Sequence, residues 1–365
     1  MLDSATRTAR LRVEPANLRC PQCGGGLAEA QGSLACASCG GMWEVRGGIP
    51  DFQGHGAYWG FAGQQKLKAI NRLAEEQGWR AAAEEYARTQ YPDRYEYHYD
   101  YIVSEARADF CVLADLGPGS RVLDTGSGWG GLTLSMARDA GEVYALDRTL
   151  EHLEFVSIRA RQEGLPNVHP VGASALHLPF AEGFFDFIVM NGVLEWVGSG
   201  EGGASPTTLQ GAALQQAWQK LKVGGQLYVG IENRWGIVYF VGRRDPHTGL
   251  RFVTLLPRWL ADHYALALQG KPYCALTHSR AALLTLLQRA GFSQVDFYYP
   301  IPGYQNFRFM SRLDDEQSVE YLLGSLRTFP RMSRFLAFAS RLALRAGALP
   351  LVRWTYPSLA AVASK

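Results

Sequence analysis

The sequence predicts an α/β protein. An open sheet with helices on both faces is expected across residues 108–310, with a small cysteine-built ribbon at 15–53 before it and a basic helical tail at 311–365 after it. Three observations carry that reading. From Arg121 onward, short apolar runs alternate with helix-period segments, the pattern of a mostly parallel sheet. A glycine-rich stretch from Asp124 to Gly131 follows the first of these runs and opens a helix. Two C-x-x-C pairs, Cys20 with Cys23 and Cys36 with Cys39, lie near the N-terminus.

The chain has 365 residues, of which 47% are hydrophobic, and a formal net charge of +2. That length suits two to three domains and a sizeable core. The charge is unevenly spread. From Tyr321 to Lys365 the chain carries seven basic residues and no acidic one. The rest holds 29 basic and 34 acidic residues, a net charge of −5, so binding of nucleic acid by bulk charge is disfavoured. The first twenty residues contain four arginines and no continuous apolar stretch, so no secretory signal is expected. No run of about 18 apolar residues predicts a membrane span. The expected address is the cytoplasm.

Each cysteine pair lets two thiolates reach one tetrahedral ion, and the glycines after them (Gly24, Gly40) relieve the tight turns. Four protein sulfurs fill every ligand place, so Cys20, Cys23, Cys36 and Cys39 predict a structural zinc with no open position. The segment from Leu18 to Phe52, closing on Gly-Ile-Pro, resembles the small zinc-ribbon activator subunit that pairs with methyltransferases. The resemblance implies a module that binds and stabilises a methyltransferase, and here a candidate lies in the same chain.

A connector at 54–107 follows. It is read as a helix at 64–89, from the spacing of Leu67, Ile70, Leu73 and Ala74, and then a tyrosine-rich segment from Tyr91 to Tyr101. That segment suits either an acceptor platform or packing on the next domain. Strands are expected at 121–124, 142–146, 168–171, 185–190 and 226–231, and helices at 130–139, 150–162 and 208–221. Residues 233–278 read as an irregular, aromatic insertion on the acceptor side. A helix at 279–290 and a strand at 294–299 resume the sheet.

The glycine loop alone satisfies both the dinucleotide spacing, through Gly126, Gly128 and Gly131, and the spacing G-x-G-x-G, through Gly126, Gly128 and Gly130. Two acids separate these readings. Asp124 precedes the first glycine by two residues, where an anion suits a cationic sulfonium better than a pyrophosphate. Asp147 ends the second strand, where a carboxylate can accept hydrogen bonds from ribose hydroxyls. With these residues the chain resembles a class I S-adenosylmethionine-dependent methyltransferase, a Rossmann-like fold, over about 108–299. Further matches are Ala173-Ser174-Ala175-Leu176-His177-Leu178-Pro179-Phe180, Phe185-Asp186 and Leu221-Lys222-Val223-Gly224-Gly225. The resemblance implies that Asp124, Gly126, Gly128, Gly130, Asp147, Ser174, Ala175 and Asn191 hold S-adenosylmethionine. Ser174 stands where the family usually has an acid near the adenine amine, which puts that side-chain contact in doubt.

The acceptor should lie beyond the carboxyl ends of the strands. Asn191 there is followed by Gly-Val-Leu rather than Pro-Pro-aromatic, which disfavours methylation of base amino groups. Polar residues gather after the fifth strand, and Glu232 and His247 are the candidate base or acceptor ligands. Glu232 could instead pair with Arg234 or Arg243, and His247 could bond within its own turn. Glu195 and His177 are further candidates. The segments IENRWG and THSRAALLTLLQRAGF also resemble bacterial methyltransferases of surface glycan assembly. These features favour O-methylation of a sugar, glycan precursor or other small hydroxylated acceptor. The rivals are an RNA methyltransferase and a non-catalytic zinc-ribbon scaffold. In the tail, Arg331, Arg334, Arg341 and Arg345 share a helix sector beside Met332, Phe335, Leu336, Ala339 and Leu342. Such a face suits self-association, an anionic membrane surface or, less well, RNA.

Overall fold

The computed structural model describes residues 13–53, 62–198, 204–312 and 349–365, with isolated positions between 317 and 347. The chain divides into two units, Met1–Val189 with Gln219–Gly225, and Met190–Trp218 with Gln226–Lys365.

The first unit begins with an antiparallel meander, β1 (Leu27–Ala30), β2 (Ser33–Cys36), β3 (Met42–Arg46) and β4 (Ile49–Asp51). Helices α1 (Gln64–Gln77), α2 (Trp79–Gln90) and α3 (Tyr95–Val103) follow. The single helix expected at 64–89 is two, because Gly78 at φ +95° interrupts it. Next come β5 (Arg121–Thr125), α4 (Gly131–Met136), β6 (Glu142–Asp147), α5 (Leu150–Glu163), β7 (Val168–Gly172) and β8 (Phe185–Asn191). Strands β5, β6 and β7 pair in parallel and are almost wholly buried, as their continuous Val-Leu-Ala runs require. The strand order in this unit is β1-β2-β3-β4-β7-β6-β5-β8.

The ribbon is therefore part of the sheet. Asp51 of β4 lies in parallel register with Gly172 of β7, and the Phe52 amide donates to Gly172 O at 2.7 Å. A second seam joins the Arg19 amide to Pro179 O at 2.9 Å. Gly172 permits this approach, since a Cβ there would stand 3.2 Å from Pro50 O and 2.8 Å from Leu150 Cδ2. The ribbon thus covers an edge that an open sheet would otherwise leave unpaired.

The connector helices pack on the same domain. Leu67, Ile70, Ala74, Trp79, Ala82 and Tyr86 form one apolar cluster with Phe155 and Ile158 of α5. Tyr91, Tyr99 and Tyr101 lean on that cluster, so this part of the tyrosine-rich segment packs on the domain.

The second unit contains α6 (Pro206–Lys220), β9 (Leu221–Glu232), α7 (Ile237–Phe240), α8 (Arg258–Gln269), α9 (Arg280–Ala290), β10 (Gln294–Ile301), β11 (Phe309–Ser311) and β12 (Ser358–Ser364). The residues expected to be irregular at 233–278 include the twelve-residue helix α8. The tail expectation is corrected at both ends. Residues 309–311 and 358–364 are strands, and β12 runs antiparallel between β9 and β10. Its Leu-Ala-Ala-Val-Ala run suits a position flanked on both sides, and Leu359 to Ala363 are all buried. Asn233, fully buried, clamps the approach to β12 by donating to Trp354 O and Tyr356 O at 2.8 and 2.7 Å. Of the proposed basic helix, Arg331, Arg334, Met332, Phe335, Leu336 and Ala339 lie outside the described residues. Among the described residues, no helix is long and apolar enough to cross a membrane.

Candidate functional site

The first unit holds two features. In the ribbon, the two knuckles fold alike: Gly24 N donates to Cys20 O and Gly40 N to Cys36 O, with both glycines near φ +72°. These turns bring the sulfurs of Cys20, Cys23, Cys36 and Cys39 within 4.8 Å of one another. The Cys20–Cys39 and Cys23–Cys36 separations are 3.7 and 3.5 Å. Sulfurs about 2.3 Å from a tetrahedral ion stand ~3.8 Å apart, so the arrangement is compatible with zinc.

The second feature is the loop between β5 and α4. Gly126, Gly128 and Gly130 all have positive φ, a region that favours glycine. A Cβ on Gly130 would meet Leu134 Cδ1 at 2.8 Å and Val156 Cγ2 at 2.9 Å, whereas one on Gly128 would meet nothing within 4 Å. The loop is thus packed from below at Gly130 and open at Gly128. Asp147, the last residue of β6, accepts from Gly128 N and Thr149 N, each at 2.8 Å. Burial alone would raise its pKa, but His152 and these amides hold the carboxyl below its ordinary range. Asp124 is 1% exposed and accepts from Thr133 Oγ1 at 2.6 Å. Burial pushes its carboxyl up to about 7 against that hydrogen bond, so a cation nearby would be electrostatically welcome. The buried hydroxyls of Thr125 and Ser127 have no hydrogen-bond partner among the described residues. Positive-φ glycines, open space at Gly128, two carboxylates and two unspent hydroxyls fit a cationic ligand carrying a polar ribose. Ser174 turns inward on its own loop, where its Oγ accepts from Leu176 N at 3.3 Å, and Ala175 is buried.

The second unit contains a buried cluster of acids around one imidazole. Glu232 is the last residue of β9, Glu195 lies in the turn after β8, and Asp245 and His247 share the turn after α7. His247 Nδ1 is 3.0 Å from Asp245 Oδ1, and Asp245 also accepts from Thr248 N, Thr248 Oγ1 and Tyr273 OH. The carboxylate so saturated can only accept, which fixes a proton on His247 Nδ1 and turns Nε2 toward Glu232 and Glu195, at 3.6 and 3.8 Å. The Tyr304 hydroxyl lies within 3.1 Å of oxygens of both glutamates. Burial, reinforced by Glu195, pushes Glu232 up to about 7, against the opposing pull of His247. Burial disfavours charge on His247, but Asp245, Glu195 and Glu232 outweigh it and raise the ring to about 11. Room for Tyr304 comes from Gly192 and Gly230: a Cβ on either would stand within 3.2 Å of its ring, and one on Gly230 would also lie 2.1 Å from Asn191 Oδ1. Both side-chain amide atoms of Asn191 are buried without a partner among the described residues.

Residues 123–229 match the family model described as a methyltransferase domain. The chain therefore carries a methyltransferase domain over these residues. Among curated relatives, it is 36% identical over 116 residues to the ubiquinone/menaquinone biosynthesis C-methyltransferase UbiE of Vibrio campbellii, covering 31% of this chain and 41% of that protein. An uncharacterized protein of Mycobacterium bovis is 40% identical over 78 residues, covering 21% and 28%. The chain therefore spans less than half the length of the curated relatives it matches. Solved structures similar to it include phosphoethanolamine N-methyltransferase 2 of Haemonchus contortus, with TM-score 0.44, 15% identity and coverage of 78% and 60%. Geranyl diphosphate C-methyltransferase of Streptomyces coelicolor is another, with TM-score 0.41, 16% identity and coverage of 74% and 84%.

Within the methyltransferase domain, the structure brings Asp124, Gly126, Gly128, Gly130 and Asp147 to one loop and the ends of two strands. Glu232 and His247 meet in the second unit. Among the described residues Glu232 pairs with His247 rather than with Arg234 or Arg243, Arg234 instead donating to Thr254 O and Leu256 O; His247 does bond within its own turn, to Asp245, and also faces two glutamates beyond it. His177, the other further candidate, is exposed and lies in the first unit. Sequence reasoning missed Asp245 and Tyr304. The Asp-Pro-His-Thr-Gly turn was a usable signal, because an Asp that bonds its own turn is placed to hold a histidine two residues on. Nothing in the local sequence marked Tyr304.

Proposed function

We propose that the chain transfers a methyl group from S-adenosylmethionine to a hydroxyl oxygen of a small acceptor, such as a sugar or glycan precursor. The observation that carries the transferase reading is the open glycine loop with Asp124 and Asp147 at the carboxyl ends of β5 and β6. Asp147 would hold the ribose, Asp124 would favour the cationic end electrostatically, and the backbone of Gly126 to Gly130 would line the methionine part. When bound, S-adenosylmethionine supplies an activated methyl group on a sulfonium, so the protein's share of the work is mostly positioning. A hydroxyl acceptor must lose a proton, and Glu232, its carboxyl pushed up to about 7, is suited to accept it beside His247. Asn191, with both amide atoms unspent, would orient a polar ligand. The cysteine site would hold zinc as a strut for the ribbon, which stabilises its methyltransferase domain within one chain.

A second reading, methylation of a ring carbon, is favoured by the similarity to a C-methyltransferase over 116 residues. Transfer of labelled methyl to a cell extract, fractionated into glycan, small-molecule, lipid-quinone, protein and RNA pools, separates the readings. Label in hydroxylated glycan precursors supports the first. Label in quinones supports the second, and label in RNA overturns both.

A further inference from the structure

We propose that Glu195, Glu232 and His247 form a binding site for one divalent first-row cation, with open positions that take oxygen donors of the acceptor. The three side chains are 1%, 11% and 4% exposed, and one donor atom from each lies within 4.8 Å of the others. The His247 Nε2 separations of 3.6 and 3.8 Å are too long for hydrogen bonds. Donors ~2.1 Å from one tetrahedral ion stand ~3.4 Å apart, which is close to these spacings. Two carboxylates and an imidazole form an oxygen–nitrogen set suited to manganese, iron or zinc.

Two independent features point to a ligand. Glu195 Oε2 is buried and has no hydrogen-bond partner among the described residues, so this carboxylate keeps unspent capacity inside the cluster. His247 is held from behind by Asp245, the carboxylate–histidine arrangement that orients metal-binding imidazoles. Charge argues the same way. Glu195, Glu232 and Asp245 are three buried acids, and among the described residues the only ion pairs they make are with His247. A divalent ion would offset the negative charge that one imidazole leaves.

Three protein donors leave places for water or substrate, unlike the closed cysteine site. An acceptor presenting two adjacent oxygens, such as a vicinal diol, would chelate there, and the ion would ease loss of its proton to solvent. This acceptor class rests on the proposed transferase reading; the ion site does not. The test therefore measures metal without cofactor or acceptor. Full-length protein is saturated with Mn2+, freed of unbound ion and analysed for total metal, beside Glu195→Gln and His247→Ala shown to be folded by circular dichroism. Wild type is expected to hold one more ion per chain than Glu195→Gln. Bound Mn2+ should show a nitrogen coupling in pulsed electron paramagnetic resonance that His247→Ala abolishes. Asp245→Asn should weaken the affinity about 10–100-fold. Equal metal content in folded wild type and Glu195→Gln, or bound manganese with no nitrogen coupling, would overturn the proposal. If metal binds as expected but no methyl is transferred, the transferase reading fails and the ion site stands.

Discussion

The cysteine cluster of the ribbon and the acid–imidazole cluster of the second unit each gather donor atoms within 4.8 Å, yet they are built in opposite ways. The first draws all its donors from a twenty-residue stretch, where two matching turns place them. Four sulfurs close it, so it can only hold structure. The second draws on Glu195, Glu232, Asp245, His247 and Tyr304, which the chain separates by up to about a hundred positions. Among the described residues it leaves a carboxylate oxygen of Glu195 unspent and sets three acids around one imidazole. On the proposed reading, the cluster made by local turns serves the fold and the cluster assembled by long-range packing serves chemistry.

That contrast can be broken in order of effect. Cys20→Ser should be the most damaging change to stability, because structural zinc supplies on the order of 10 kcal/mol to small metal-held domains at neutral pH. Loss of the ribbon also bares the β7 edge. The expected outcome is a large drop in melting temperature, reproduced in wild type by a strong chelator. A chelator that leaves the melt unchanged would remove the structural role. Glu232→Gln and His247→Ala should do the reverse. Methyl transfer should fall about 10²–10⁴-fold, the range of a lost acid–base group, with cofactor affinity near wild type. Initial rates set beside thermal melts separate the two behaviours.

A smaller effect concerns acid. His278 is buried against Gln210, with a 2.6 Å hydrogen bond, and burial lowers its pKa to about 4 from an ordinary 6.5. The unfolded chain takes up a proton as pH falls through 6.5, while the fold keeps the ring neutral down to about 4. Stability should therefore be lost across that window, by up to about 3 kcal/mol. His278→Gln should flatten this part of the denaturant-midpoint profile between pH 7 and pH 4. An unchanged slope would assign the loss to other groups.

The sequence revealed the first kind of region far better than the second. The cysteine knuckles and the loop from Asp124 to Gly130 are legible because their geometry is set by residues a few positions apart. Strands β5 to β10 were placed within a few residues except at the start of β9, since their apolar runs are continuous. The parallel seam of the ribbon with β7 was not legible, because it rests on one register pair, Asp51 with Gly172, far apart in the chain. Strand β12 was hidden by its alanines, which carry little β-preference and are in the sheet through their pairing with β9 and β10. Glu232 and His247 could be picked as polar residues after a strand. Tyr304 could not, since its place depends on the space left by Gly192 and Gly230.

The most direct test of the methyltransferase account is calorimetric titration of full-length, zinc-loaded protein with S-adenosylmethionine, beside Asp147→Ala. The account expects one cofactor per chain, bound about 10–100-fold more weakly by the variant, as befits loss of hydrogen bonds to a charged carboxylate. No binding by the folded wild-type chain, or equal affinity in both proteins, would contradict it.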